Sequence, residues 1–152
     1  MRINNKKRAV KLKQIFFLVS VVLAIAALLF FLFDHIALAL ISIGVFSLWY
    51  IFFLVADYQF IEFSDENDKI RLRYYKAVSF GSPKFNEIEF LQQMLKNAFF
   101  DNSIFGKMSD LTLVVKTKRG IAEYPSVSLS AVKKSDRQNI ANSINRLINQ
   151  MR

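Results

Sequence analysis

The sequence predicts a membrane α-helical hairpin of two transmembrane helices, followed by a small α+β domain with an antiparallel sheet and a C-terminal amphipathic helix. Three observations predict it. Two long apolar runs lie close together near the N-terminus, the hydrophobic period changes to two after residue 57, and it changes to the helical period after residue 135. The composition agrees: 53% of the 152 residues are hydrophobic and sixteen are Phe, more than an ordinary soluble domain carries.

The first run covers residues 15–33, nineteen positions with Ser20 as the only polar one. At the α-helical rise it reaches about 28 Å, close to the thickness of a bilayer's hydrocarbon layer. The second, Ile36–Ala56, has twenty-one positions broken only by Ser42, Gly44, Ser47 and the amphipathic pair Trp49-Tyr50. Asp34 and His35 alone separate the runs. One continuous helix would be about 60 Å long and would put both polar residues mid-bilayer, whereas a reversal leaves them in water. A cleaved signal peptide fits poorly, because its apolar core is shorter and is followed by a polar mature start. Ser20, Ala24 and Ala27 on one helix and Ala37, Gly44 and Ser47 on the other are small enough for close approach, which ordinary hairpin packing explains. Neither run holds a charge, so neither offers a proton relay or an ion pathway.

The net charge of +9 is unevenly spread. A basic tail, residues 1–14, holds Arg2, Lys6, Lys7, Arg8, Lys11 and Lys13 and no acid, while residues 57–152 carry 15 Lys/Arg against 11 Asp/Glu. Such a balance suits nucleic acid or an anionic membrane surface. The apolar half points to the membrane, and no motif interleaves cations with exposed aromatics as nucleic-acid binding requires. The six cations are topology determinants that hold the N-terminal end in the cytoplasm. Two spans return the chain to that side, so the domain of residues 57–152 is expected there too.

In the domain, residues 58–64 and 69–76 read as strands joined by the polar turn Asp65-Glu66-Asn67-Asp68. Ile70, Leu72 and Tyr74 alternate with Lys69, Arg71 and Arg73, which gives one apolar and one basic face. Gly81-Ser82-Pro83 signals a loop. Residues 85–90 begin like a strand, yet Phe90, Leu91, Met94, Leu95, Ala98 and Phe99 also fit a short helix, so two readings stay open: a β-hairpin, or a strand running into a helix. Leu111, Leu113 and Val115 alternate with Thr112, Val114 and Lys116, Arg119-Gly120 turns the chain, and residues 121–129 return, with Pro125 marking an edge or a bulge. Ser135 and Gln138 form a capping-box pattern, and Ile140, Ile144, Leu147, Ile148 and Met151 share one helical face.

The hairpin, the segment Lys-Ile-Arg-Leu-Arg-Tyr-Tyr, the Gly-Pro loop, the second hairpin and the final helix together resemble bacterial inner-membrane proteins with a cytoplasmic pleckstrin-homology-like (PH-like) domain. The resemblance covers roughly residues 58–150 and lies in architecture. It implies a strongly bent antiparallel sheet capped by one helix, strands where residues 91–99 look helical, and a binding or scaffolding role without catalytic residues.

Chemistry leaves few other openings. Cys is absent and His35 is the only His, which excludes thiolate sites and disfavours His-based metal sites and triads. Gly44, Gly81, Gly106 and Gly120 are isolated, so no phosphate-cradling loop forms and no cofactor is expected. Asp65, Glu66 and Asp68 suit a solvated turn, and Glu87 with Glu89 an outward strand face. Lys69, Arg71 and Arg73 with Lys116, Lys118 and Arg119 are the candidate surface, two basic rows on one sheet for anionic lipid headgroups or a partner. The same rows also suit a plain solvated face. Phe99, Phe100, Ile104 and Phe105, and the adjacent Tyr74-Tyr75, supply more apolar side chains than one core face accepts. The expected function is therefore that of a non-enzymatic accessory or scaffolding subunit with a protein partner or a second copy, with an anionic-lipid sensor as the alternative.

Overall fold

A computed structural model describes residues 1–79, 82–103 and 108–150. Among these, the chain forms β1 (Arg2–Asn4), α1 (Lys6–Leu32), α2 (Ile36–Ala56), β2 (Gln59–Ser64), β3 (Lys69–Lys76), β4 (Asn86–Leu91), β5 (Leu95–Ser103), β6 (Met108–Thr117), β7 (Gly120–Glu123), β8 (Val127–Ser128) and α3 (Lys134–Gln150). The helices α1 and α2 are both long and apolar enough to cross a membrane. They run antiparallel about the reversal at Phe33, Asp34 and His35, where Asp34 adopts φ 59° and His35 stands at the N-terminus of α2.

Most of the hairpin's apolar surface lies open. Only 6% and 17% of the most apolar windows of α1 and α2 are buried. The helices meet through Phe16, which packs on Phe53 at 5.0 Å and on Tyr50 at 6.2 Å, and Trp49 reaches Phe53 at 4.7 Å. The small residues are divided. Ala24, Ala37, Gly44 and Ser47 are exposed, whereas Ala27 is half-buried, the Ser20 hydroxyl is enclosed and Ala39 is buried. Small side chains along the hairpin and bulky aromatics at the end nearest the domain both belong to the contact.

The basic segment 1–14 is not a free tail. Arg2, Ile3 and Asn4 pair with Ser64, Phe63 and Glu62 of β2, so β1 is the edge of the first sheet, ordered β1-β2-β3-β4. Residues from Lys6 onward already belong to α1. The apolar hairpin is thus inserted between two neighbouring strands of one sheet, and residues 2–4 and 59–64 lie on the same side of anything the hairpin crosses.

The β2–β3 turn is tighter than expected, and the Asp65 carboxylate is not solvated: it is buried and accepts a hydrogen bond from the Ser143 hydroxyl of α3. Asn67 and Asp68 have φ of 57° and 55°, and the Lys69 amide bonds the Glu66 carbonyl at 3.2 Å, the arrangement of a tight two-residue hairpin turn. Between residues 91 and 99 the strand reading prevails: a single 3-10 turn, Gln92–Met94, bends β4 into β5. The helical spacing of Leu91, Met94, Leu95 and Ala98 yields to packing, because Leu95 lies in the core and Ala98, on the same strand β5, packs against that core.

In the second sheet β6 pairs with β5 on one side and with β7 and then β8 on the other. The turn falls one residue earlier than expected, at Lys118-Arg119, with Gly120 at φ +127° opening β7. The expected single return strand is broken around Pro125, whose ring removes a ladder donor. The helix α3 starts at Lys134, so Ser135 lies inside its first turn rather than at its cap. Both sheets and α3 close over one core that includes Phe63, Ile70, Leu72, Ile88, Phe90, Leu111, Leu113, Val127, Ile140 and Ile144. Met151 lies outside the described residues.

Candidate interaction surfaces

Alternation along β3 turns Ile70 and Leu72 into the core and sends Lys69, Arg71 and Arg73 to the outer face of the first sheet. The neighbouring strand answers them. Arg71 and Arg73 stand opposite Glu89 and Glu87 of β4, and Lys69 Nζ lies 2.8 Å from Glu89. Arg71 reaches Glu89 at 2.6 Å and Glu87 at 3.1 Å, and Arg73 reaches Glu87 at 3.1 Å. On the other flank Arg2 pairs with Glu62. Rows of opposite charge therefore alternate across β1, β2, β3 and β4. Hydrogen bonds from Lys69 and Arg71 hold the Glu89 carboxyl below its usual range, and the bond to Glu89 raises Arg71 further. This face is an ion-pair lattice with little charge left for an anionic ligand.

Lys116, Lys118 and Arg119 do not join that row. They belong to the second sheet, at and beside the β6–β7 turn. The expected pair of basic rows on one sheet is thus split between two. It is also far from the hairpin: Met108, at the start of β6, lines a cavity with Val55 and Ala56 of α2, and ten strand residues carry the chain about 30 Å to Thr117. Of the six cations expected to set topology, Arg2 lies on β1, while Lys6, Lys7, Arg8, Lys11 and Lys13 occupy the first turns of α1. No acid stands in the first turn of α1, so these cations act against the helix dipole and do not stabilise that end.

The second sheet's outer face has a different character. Phe99, Thr112, Val114 and Ile121 share it by register with exposed Asn97, Lys116 and Glu123. Phe99 is 49% and Ile121 61% exposed, while Thr112 and Val114 between them are each 8% exposed. Of the surplus aromatics, Phe99 faces outward, Phe100 and Tyr74 pack against the main core, and Tyr75 stacks on Phe60 at 4.7 Å. Ile104 and Phe105 lie outside the described residues.

Sequence reading missed Asn5. Its side-chain amide donates to the Gln59 carbonyl at 2.9 Å and its Oδ1 accepts from the Ile61 amide at 2.8 Å. Its backbone amide also bonds the Ile61 carbonyl at 3.2 Å, and its own carbonyl receives the first amides of α1. One buried residue thus ends β1, starts α1 and completes the β2 ladder. Only a polar residue between a strand-length segment and an apolar helix hinted at it. Ala9, one turn on, packs on Phe60 and Ala77.

Among the described residues no cluster of three or more Asp, Glu, His or Cys is placed to hold a metal ion. A cavity of about 320 Å³ between the end of α2 and the second sheet is lined by Asp57, Asp110, Ser126, Ser128 and Ser130 among others. Ser128 and Ser130 bond each other there at 2.9 Å. Comparison with protein-family models, with curated proteins and with solved structures finds no match to this chain.

Proposed function

We propose that the protein is a non-enzymatic accessory subunit of a bacterial inner-membrane assembly. In this reading α1 and α2 span the bilayer, both ends of the chain are cytoplasmic, and a PH-like domain offers a docking platform. The exposed apolar sides of α1 and α2 support the spanning, since a soluble core helix of that composition would be buried. Retention of the hairpin fits the pairing of β1 with β2, because cleavage after α1 would remove an edge strand and Asn5. The cations of α1 and the lack of any at the Asp34-His35 turn favour the cytoplasmic orientation. Two antiparallel sheets about one core, strands through residues 95–103 and a closing helix support the PH-like reading.

The observation that carries the platform reading is the outer face of the second sheet, where exposed Phe99 and Ile121 flank buried Thr112 and Val114 and stand beside exposed Lys116 and Glu123. Apolar side chains ringed by polar ones suit a protein contact. The test is cross-linking and gentle-detergent purification of the full chain from its host, beside the Phe99→Ser/Ile121→Asp double variant. A stoichiometric partner, or a second copy, should be recovered with the natural chain and lost with the variant. Recovery of the natural chain alone after cross-linking would overturn the reading. The alternative, lipid sensing through Lys69, Arg71 and Arg73, is disfavoured by the facing glutamates.

A further inference from the structure

The end of the domain nearest the hairpin carries its own cations. After β3 the chain turns back toward α1, and Val78 lines a cavity of about 100 Å³ with Phe16, Tyr50 and Leu54 of the two apolar helices. Beside it a second hollow of about 130 Å³ is lined by Val10 and Lys13 of α1 together with Tyr75, Lys76, Ser79 and Pro83. Residues 77–79 therefore sit level with the boundary at which α1 passes from lysines to unbroken apolar sequence. Phe85 closes the corner. It is 65% exposed, its ring stands edge-on to Tyr75 at 4.8 Å, and exposed Lys84 precedes it.

The charges of this corner are unbalanced. Lys76 has Asp57 at 3.6 Å, and Lys13, which lines the same hollow as Lys76, lies over the Phe17 ring at 5.9 Å. Two lysines thus share one carboxylate, and exposed Lys84 adds a third cation next to Pro83 and Phe85, in contrast to the matched rows farther out on the same sheet. Aromatic rings and lysines at one depth, with apolar helix below, are the features that hold lipid headgroups at an interface.

We propose that the corner between α1 and residues 77–79 and 83–85 seats the headgroup of an anionic phospholipid from the leaflet the hairpin enters. Lys13, Lys76 and Lys84 meet the phosphate, and Phe85 enters the glycerol layer beside Val10. The proposal rests on the reading of α1 and α2 as membrane spans. Bound lipid sets the tilt of the hairpin and its attached domain relative to the membrane surface.

The chain contains one Trp, Trp49, which makes a fluorescence test direct. The full-length protein is reconstituted in vesicles of phosphatidylcholine, with and without phosphatidylglycerol, that carry lipids brominated at defined chain depths. In the natural chain, quenching of Trp49 reports insertion of the hairpin. In the Trp49→Phe/Phe85→Trp variant, emission reports the corner. The expected result is a blue shift and quenching by shallow bromines that grow with phosphatidylglycerol content. The half-saturating fraction should rise about fivefold for each lysine removed in Lys13→Gln and Lys84→Gln, variants that leave the Asp57 contact intact. Quenched Trp49 in the natural chain, with corner emission in the double variant indifferent to phosphatidylglycerol or to both lysine changes, overturns the lipid seat while the membrane reading stands. Unquenched Trp49 overturns both.

Discussion

The two sheets of the domain share one core but meet the rest of the molecule differently. The first is bound to the hairpin through β1, through the Asn5 amide and through Ala9 against Phe60, and its outer face is closed by ion pairs. The second approaches the hairpin through the serine-lined cavity beside Ala56 and turns Phe99 and Ile121 to the outside. Anchoring and display are thus divided between sheets. The physical reason is that a charge-matched face has satisfied its own demands, while exposed apolar side chains such as Phe99 and Ile121 still gain free energy by being covered.

The largest expected effect is on the anchor. Asn5→Leu leaves the Gln59 carbonyl and the Ile61 amide buried without partners and should cost about 2–4 kcal/mol. Amide exchange in the reconstituted protein should accelerate at Ile61 and along β2. Unchanged protection at Ile61 would remove Asn5 from its place as the joint. The second sheet should respond to Gly120→Ala, because Gly120 sits at φ +127° and the added Cβ meets nothing within 4 Å. Backbone strain alone should cost about 1–3 kcal/mol there, seen as faster exchange in β7 with Ile61 unaffected. A spread of that loss into β2 would show the sheets to be less separate than described.

Acid should act in the opposite place. The Glu89 pKa is lowered in the folded protein, so its ion pairs add stability above the unfolded carboxylate value and lose it as pH falls through the folded one. Below the ordinary carboxylate range, exchange in β4 should rise before that in β7; a change in β7 first would sink the distinction. The smallest effect on stability belongs to Phe99→Ser with Ile121→Ser. Ile121 is mostly exposed and Phe99 half exposed, and stability should fall by no more than about 1 kcal/mol per site. A greater loss would mean that the strip is structural and not a surface for display.

Local chemistry made much of this legible in the sequence. The lengths of the two apolar runs, the reversal at Asp34-His35, the alternation of Ile70 and Leu72 with Lys69 and Arg71, and the amphipathic face of α3 each depend on neighbours a few residues apart. Contacts between distant residues decided the rest. Nothing near Arg2–Asn4 indicates that this segment pairs with β2 across the whole hairpin, or that Asn5 completes that ladder. The spacing of residues 90–99 satisfied helix and strand alike until Leu95 found its place in the core. The basic rows looked like one surface because a sequence shows the sign of a charge and not its neighbour. Register set Glu87 and Glu89 beside the arginines and carried Lys118 and Arg119 to another sheet. Periodicity is a property of one strand and survives in the sequence, but compensation of charge is a property of two strands and exists only once they pair.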